Sequence, residues 1–303
     1  MPTIDFNPPA DVADTVARAL AEDIGDGDRN ALLADAAAPA HAVVVARENA
    51  ILSGRPWFDA VFAALDADVR IHWRYADGER MRSETPVCEL HGPARAGLSG
   101  ERTALNFLQL LSGVASTTHD YVERVKGTNT GIVDTRKTLP GLRSAQRYAV
   151  RCGGGVNHRF GLFDAILIKE NHIMAAGGIE SAVAGARAQS PDLFLQVEVE
   201  TLEELDAALE AGVDAVLLDN FATHVLARAV HMADAHRRRF RRQIVIEASG
   251  DITLTNVREI ADTGVDRISI GGLTKHIRAS DFSMRMQVDA PATGDPAAGS
   301  AQT

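Results

Sequence analysis

From Gly131 onward the chain alternates short apolar runs with helical stretches, and that alternation leaves few folds open. Apolar runs stand at 131–135, 165–169, 193–199, 213–218, 243–248 and 266–270. Helical spacing covers 179–189, 201–211, 222–239 and 253–263 between them. Thr201 and Glu204 have the spacing of a capping box at the head of one of these helices. A short run that is apolar at every position fits a strand buried on both faces. Strands that alternate with helices are joined by crossovers, so they lie parallel with the helices outside. Six such units either close into a barrel or stay open. No dinucleotide fingerprint follows the first strand, which favours the barrel.

In parallel α/β folds the functional residues sit where the strands end. Here the first strand ends in Thr135-Arg136-Lys137-Thr138 and the second in Lys169-Glu170-Asn171-His172. The third carries Glu198 and Glu200, the fourth ends in Asp219-Asn220, the fifth in Glu247-Ala248-Ser249-Gly250 and the sixth in Gly271-Gly272. The stretch 131–172 also holds Arg143, Arg147, Arg151, His158 and Arg159, a cationic segment in a chain of formal net charge -10. Arg and Lys at adjacent strand ends suit carboxylates, which Arg grips with two parallel hydrogen bonds. Glu198 and Asp219 suit sugar hydroxyls or Mg²⁺. The Ser249-Gly250 and Gly271-Gly272 turns, each ahead of a helical stretch, offer backbone N–H groups to a phosphate. Gly153-Gly154-Gly155 is either a connector or a place where backbone approaches a ligand closely. Lys169 and Glu198 also have a plain structural reading, as a buried ion pair. Asp251 departs from the phosphate reading, since its carboxylate must point away from a bound anion.

Residues 10–22 have helical spacing, 41–54 reads as a strand ending at Gly54, and Pro56 opens a short helix. The alternating segment 69–75 runs into Asp77-Gly78, a hairpin signal, and 86–92 is another short strand. A helix covers 99–113 and ends at Gly113, and a second runs from His119 to Val125. This first part is a small antiparallel sheet with helices. The tail from Val288 is rich in Ala, Pro and Gly and is expected to be disordered.

Apolar residues make up 46% of the 303, and no run reaches the ~18 residues that a membrane span needs. The first residues lack the basic and apolar regions of a secretory signal. Cys88 and Cys152 have no metal-ligand spacing and are read as reduced thiols of a cytoplasmic protein. The acidic balance argues against nucleic-acid binding. Arg237 to Arg242 is then the solvated end of a helix, where cations offset the macrodipole.

The sequence closely resembles the quinolinate phosphoribosyltransferases in ERTALNFLQLLSGVAS at 101–116, DTRKTLPGLR at 134–143, GGGVNHRFGLFDAILIKENH at 153–172, VEVE at 197–200, LLDN at 217–220, EASG at 247–250 and ISIGGLTK at 268–275. That resemblance implies an N-terminal α/β sandwich over 1–112, rejoined by about 276–287, followed over 113–275 by an open, incomplete α/β barrel with parallel strands, and then a tail at 288–303. It implies a homodimer with a shared active site, and conversion of quinolinate and phosphoribosyl pyrophosphate, with Mg²⁺, to nicotinate mononucleotide, pyrophosphate and CO₂. By motif, Arg136, His158 and Arg159 would hold the quinolinate carboxylates, with Arg102 reaching in from the partner subunit. Lys137 and Lys169 would lie between quinolinate and the pyrophosphate. Glu198 and Asp219 would face the ribose and the metal, and Ser249, Gly250, Gly271 and Gly272 would bind the 5-phosphate. Three other readings compete: a phosphoribosyltransferase for another acid, a non-catalytic sensor of phosphorylated metabolites, and a nucleic-acid-binding module using the Arg237–Arg242 run. A pure anion sensor gains nothing from Glu198 and Asp219.

Overall fold

The structure is a computed structural model and describes residues 6–35 and 38–288. Most of the tail expected to be disordered, 289–303, lies outside the described residues. The chain divides into two compact units, Met1–Gly113 with Ala279–Thr303, and Val114–Arg278.

The first unit opens with helix α1 (Val12–Ile24), then strands β1 (Pro39–Ala46) and β2 (Ala50–Ile51), helix α2 (Arg55–Leu65), and strands β3 (Arg70–Trp73), β4 (Arg80–Met81) and β5 (Thr85–Pro93). Helix α3 (Ala94–Arg124) crosses the boundary between the units. Even-numbered positions of β1 from Ala40 to Ala46 are buried and odd ones are half-buried, the period-two pattern of a sheet with one covered face. Gly100 of α3 lies where a Cβ would come within 2.6 Å of the Phe62 ring, so α3 and α2 pack closely over that face.

Three expectations fail here for identifiable reasons. Residues 41–54 make two strands, because β2 leaves the main sheet to pair with β4. Asp77-Gly78 makes a turn, with Gly78 at φ 85°, but no hairpin, since β3 pairs with β5 instead. The Asp77 carboxylate accepts from the Gly54 and Arg55 amides at the head of α2, and the Gly78 amide donates to Leu52. Gly113 does not end a helix: it is buried, lacks the positive φ of a terminating glycine, and α3 runs on through His119 to Arg124.

The second unit carries β6 (Gly131–Val133), α4 (Arg143–Cys152), β7 (Ile166–Ile168), α5 (Glu170–Ala176), α6 (Ile179–Gln189), β8 (Leu195–Val199), α7 (Leu202–Ala211), β9 (Ala215–Asp219), α8 (Thr223–Phe240), β10 (Val245–Ser249), α9 (Val257–Ala261), β11 (Arg267–Ser269) and α10 (Gly272–Lys275). The last strand, β12 (Phe282–Val288), pairs antiparallel with β1, giving the first unit's sheet the order β12-β1-β5-β3.

All six apolar runs after Gly131 form strands, joined in parallel in the order β6-β11-β10-β9-β8-β7. That is chain order written around a ring, with the first and last strands adjacent and one seam left unpaired between β6 and β7. The fold is therefore an open α/β barrel. Thr201 accepts from the Glu204 amide at 3.1 Å, as its spacing predicts, but the Glu204 carboxylate reaches one residue further, to the Glu200 amide at 2.8 Å.

The three glycines after α4 serve packing. A Cβ on Gly153 would stand 2.3 Å from the Ala115 carbonyl oxygen and 2.6 Å from Thr118 Cβ, both on α3. Neither atom is the free end of a flexible chain, so Gly153→Ala should destabilise the protein by about 1–3 kcal/mol, the usual cost of overpacking. Urea unfolding of the variant would show it as a lowered midpoint with an unchanged slope.

Candidate active site at the ends of the parallel strands

Parallel partners share a face, and so do residues two apart along a strand. The register sets the site's side chains on one face, and their hydrogen bonds group them in layers. Gln196 on β8, Glu247 on β10 and Arg267 on β11 project from one face, and Glu198, Ser249 and Ser269 follow two residues later on the same face. Asp219 is the register partner of Ser249.

The lower layer is a buried polar knot. Glu247 Oε2 accepts from Arg267 Nε at 2.6 Å and from Gln196 Nε2 at 2.9 Å, and His158 Nε2 lies 3.3 Å away. Arg267 also donates to Gln196 Oε1 at 3.2 Å. Burial alone would raise the Glu247 pKa, but His158 and Arg267 more than offset it and hold the carboxyl at about 2.

The upper layer opens into a cavity of about 640 Å³ that includes Lys137, Asp219, Ser249, Gly250, Gly271 and Gly272 in its lining. Gly250 is required by geometry: at φ 102°, a Cβ there would stand 2.0 Å from Asn220 Oδ1. Gly271 has a Cβ position 2.9 Å from Lys137 Cδ, so the lysine chain lies directly across it. Gly272 meets nothing closer than 3.8 Å and is not sterically required. Asp251 lines the same cavity, in a left-handed conformation at φ 42°. The helix expected from 253 begins at Val257, so a loop rather than a helix terminus follows Ser249-Gly250.

Lys169 is hydrogen-bonded to Glu198 across β7 and β8. Both ring nitrogens of His158 are engaged, Nε2 facing Glu247 and Nδ1 accepting from the Arg159 amide at 2.7 Å. Arg136 and Arg159 are neighbours. Burial and then the Arg136 charge push the Arg159 guanidinium pKa below its ordinary value. Arg136 Nε is buried without a hydrogen-bond partner. Arg102 is exposed on α3, in the first unit.

The other cations of the segment are structural. Arg143 donates to Thr138 Oγ1 and to the Arg136 and Phe160 carbonyls. Arg147 donates to Asp134 at 3.3 Å and to the Arg159 carbonyl at 3.1 Å. Asp134 is fully buried and also accepts from Asn157 and from the His158 amide, each at 2.7 Å. Gln146 fastens the Leu139 amide and the Thr274 carbonyl. Helix α4 thus fixes the two loops that carry Arg136, Lys137, His158 and Arg159. Sequence reasoning missed Asp134 and Gln146 in this role. The available signal was a carboxylate at the end of an apolar strand, which needs partners when buried.

Two domain models match the chain: "Quinolinate phosphoribosyl transferase, N-terminal domain" over residues 28–112 and "Quinolinate phosphoribosyl transferase, C-terminal domain" over 114–285. The chain belongs to the quinolinate phosphoribosyltransferase family. Among members of that family it is 40% identical to the nicotinate-nucleotide pyrophosphorylase [carboxylating] of Mycobacterium leprae, over 89% of this chain and 95% of that one. It is likewise 40% identical to the protein of the same name from Homo sapiens, over 92% and 93% of the two chains. The solved nicotinate-nucleotide pyrophosphorylase of Francisella tularensis superposes with a TM-score of 0.88 at 43% identity, covering 94% of this chain and all of that one.

Among the described residues no helix is long and apolar enough to cross a membrane. In the basic run, Arg237 binds Asp234, Asp266 and the Ile244 carbonyl, Arg239 lies 3.6 Å from Glu210, and Arg242 binds the Gly212 carbonyl. Those contacts match the solvated helix end.

The knot has a pH signature. A carboxyl depressed from 4.5 to about 2 contributes stability that is complete above 4.5 and lost as pH falls towards 2. The expected loss is on the order of 3 kcal/mol. Glu247→Gln should lower stability at neutral pH and flatten this acid limb, as read by denaturant unfolding at a series of pH values. An acid limb as steep as the unmodified protein's would place the proton uptake elsewhere.

Proposed function

We propose that this member of the quinolinate phosphoribosyltransferase family joins quinolinate to the ribose of phosphoribosyl pyrophosphate, releasing pyrophosphate and CO₂ and leaving nicotinate mononucleotide, a step in making NAD. The observation that carries the reading is the pairing of two unlike sub-sites at one set of strand ends. Arg136 and Arg159 are neighbours, and the Arg136 Nε is buried without a hydrogen-bond partner, which suits a diacid. Beside them, the cavity of Lys137, Asp219, Ser249, Gly250 and Gly271 suits a sugar phosphate.

In this reading Arg136 and Arg159 bind the two carboxylates. His158, whose nitrogens are committed to Glu247 and the Arg159 amide, shapes the loop that presents Arg159. Lys137 and Lys169 lie between the acid and the pyrophosphate, and Ser249, Gly250, Gly271 and Gly272 receive the 5-phosphate. Glu198 and Asp219 stabilise positive character on the ribose as the bond to pyrophosphate breaks. Once the ring nitrogen carries the ribose it is a pyridinium, an electron sink that lets the 2-carboxylate leave as CO₂. The protein's contribution is placement and charge.

Glu198 and Asp219 also fit Mg²⁺. They offer two carboxylates from neighbouring strands, and Mg²⁺ takes one or two protein carboxylates with phosphate oxygens and water for the rest. When bound it would neutralise the leaving pyrophosphate. We further propose a homodimer in which Arg102 completes the partner's acid site, in the cytoplasm, where Cys88 and Cys152, both buried and outside any disulfide, stay reduced.

The deciding experiment supplies quinolinate, phosphoribosyl pyrophosphate and Mg²⁺ and follows CO₂ and nicotinate mononucleotide. Stoichiometric release supports the reading, and folded protein that forms mononucleotide only from nicotinate overturns it. Arg136→Ala should remove about 2–4 kcal/mol of transition-state stabilisation, read as a fall in kcat/KM for quinolinate. Nearly intact kcat/KM would move the carboxylate site elsewhere. Arg102→Ala and Lys169→Ala, each inactive alone, should regain part of the activity once their subunits are exchanged. No recovery after verified exchange would exclude a shared site.

A further inference from the structure

Among the described residues one face of the first unit's sheet is half-buried to exposed, and its register gathers side chains there that the reaction does not use. Odd positions of β1, with Glu89 and His91 of β5, point away from the buried face. His41 and His91 are direct cross-strand partners, Glu89 lies two residues before His91 on the same face, and His72 on β3 is the partner of Glu89. Three adjacent strands thus deliver three imidazoles and a carboxylate to one patch. The His41 and His91 rings stack at 4.5 Å, and His72 meets His91 edge-on at 5.9 Å.

Such a patch needs a reason. His41 Nε2 is sealed from solvent and makes no hydrogen bond, with Glu89 Oε2 3.5 Å away. The other Glu89 oxygen takes the Arg74 guanidinium, which leaves Oε2 facing the histidines. One donor atom from each of His41, Glu89 and His91 lies within 4.8 Å of the others. Bonds of about 2.0–2.1 Å to a tetrahedral ion need donors about 3.3 Å apart. The exposed His91 ring can close that difference by rotation.

We propose that His41, Glu89 and His91 bind a borderline divalent transition metal, of the zinc class, with His72 placed to complete the shell. Imidazole-rich donors select such ions over Mg²⁺, which prefers oxygen. The site is therefore chemically separate from Glu198 and Asp219, and it pins β1 to β5 from the solvent side.

The test uses the full chain, stripped with chelator and titrated calorimetrically with Zn²⁺ alone. One saturable equivalent per chain is expected, undiminished by excess Mg²⁺. His91→Gln should weaken it by more than about tenfold, the lower end of what even an outer-shell change costs a metal site. His41→Gln should do the same. His91→Gln should leave CO₂ release from quinolinate unchanged, which separates this site from the reaction and shows that the variant folds. Zinc affinity unaltered in His91→Gln, or no saturable binding to the unmodified chain, would overturn the proposal.

Discussion

A carboxylate sealed from water inside a parallel sheet is a liability unless its charge is answered, and Glu247 is answered on several sides. Arg267 comes from the neighbouring strand, Gln196 from across the face, and His158 from the loop that follows α4. Breaking such a set by removing one member costs far more than the set adds over an apolar core. Its value lies in what it fixes. Each contact holds β8, β10 and β11 at one stagger, and a slip in stagger would leave a buried charge unpaired. Two residues further along those strands stand Glu198, Ser249 and Ser269, so a knot below the site dictates the heights of the groups within it.

The same logic explains why arginines of α4 are engaged within the fold. Arg136 and Lys137 sit on a tight loop outside any strand or helix, and its carbonyls need donors. Arg143 and Arg147 supply them from α4, each reaching carbonyls of the loops that bear Arg136 and Arg159. Two like charges can then be held side by side without the loops spreading apart. A site built this way is ordered before the substrate arrives, so binding energy is not spent on ordering it.

How much of this the sequence revealed follows from the range of each interaction. The six strands after Gly131 were legible because burial on both faces makes them mostly apolar, and their ends located Lys169, Glu198, Asp219 and Ser249. Helix α6 was read to the residue, since Ile179 to Gln189 is bounded by glycine and serine. Helix α4 was not, because its arginines drew a ligand-binding reading while its buried face mixes the polar Gln146 and small Ala145 and Ala149 with Tyr148, Val150 and Cys152. Gly113 misled because a glycine marks a helix end only when its φ is positive, and φ is set here by tertiary packing. The Asp77-Gly78 turn misled because strand choice is not local: β5 lay within reach of both β3 and β1, and buried more of each than a hairpin with the two-residue β4 could.

The acid sub-site also bears on selectivity, if its residues act as proposed. Lys169 is paired with Glu198 in the structure, whereas Arg136 and Arg159 are neighbours whose like charges act on one another, only partly offset at Arg159 by Asp164. A ligand with one carboxylate could answer only part of that paired charge and would leave a second guanidinium desolvated without a counter-ion. A ligand with two adjacent carboxylates answers both. Leaving a buried charge unpaired is among the largest penalties available to a binding site. A preference for a diacid over its decarboxylated relative would then come from repulsion between the two guanidiniums, which the mono-acid cannot relieve, as much as from contacts the diacid gains.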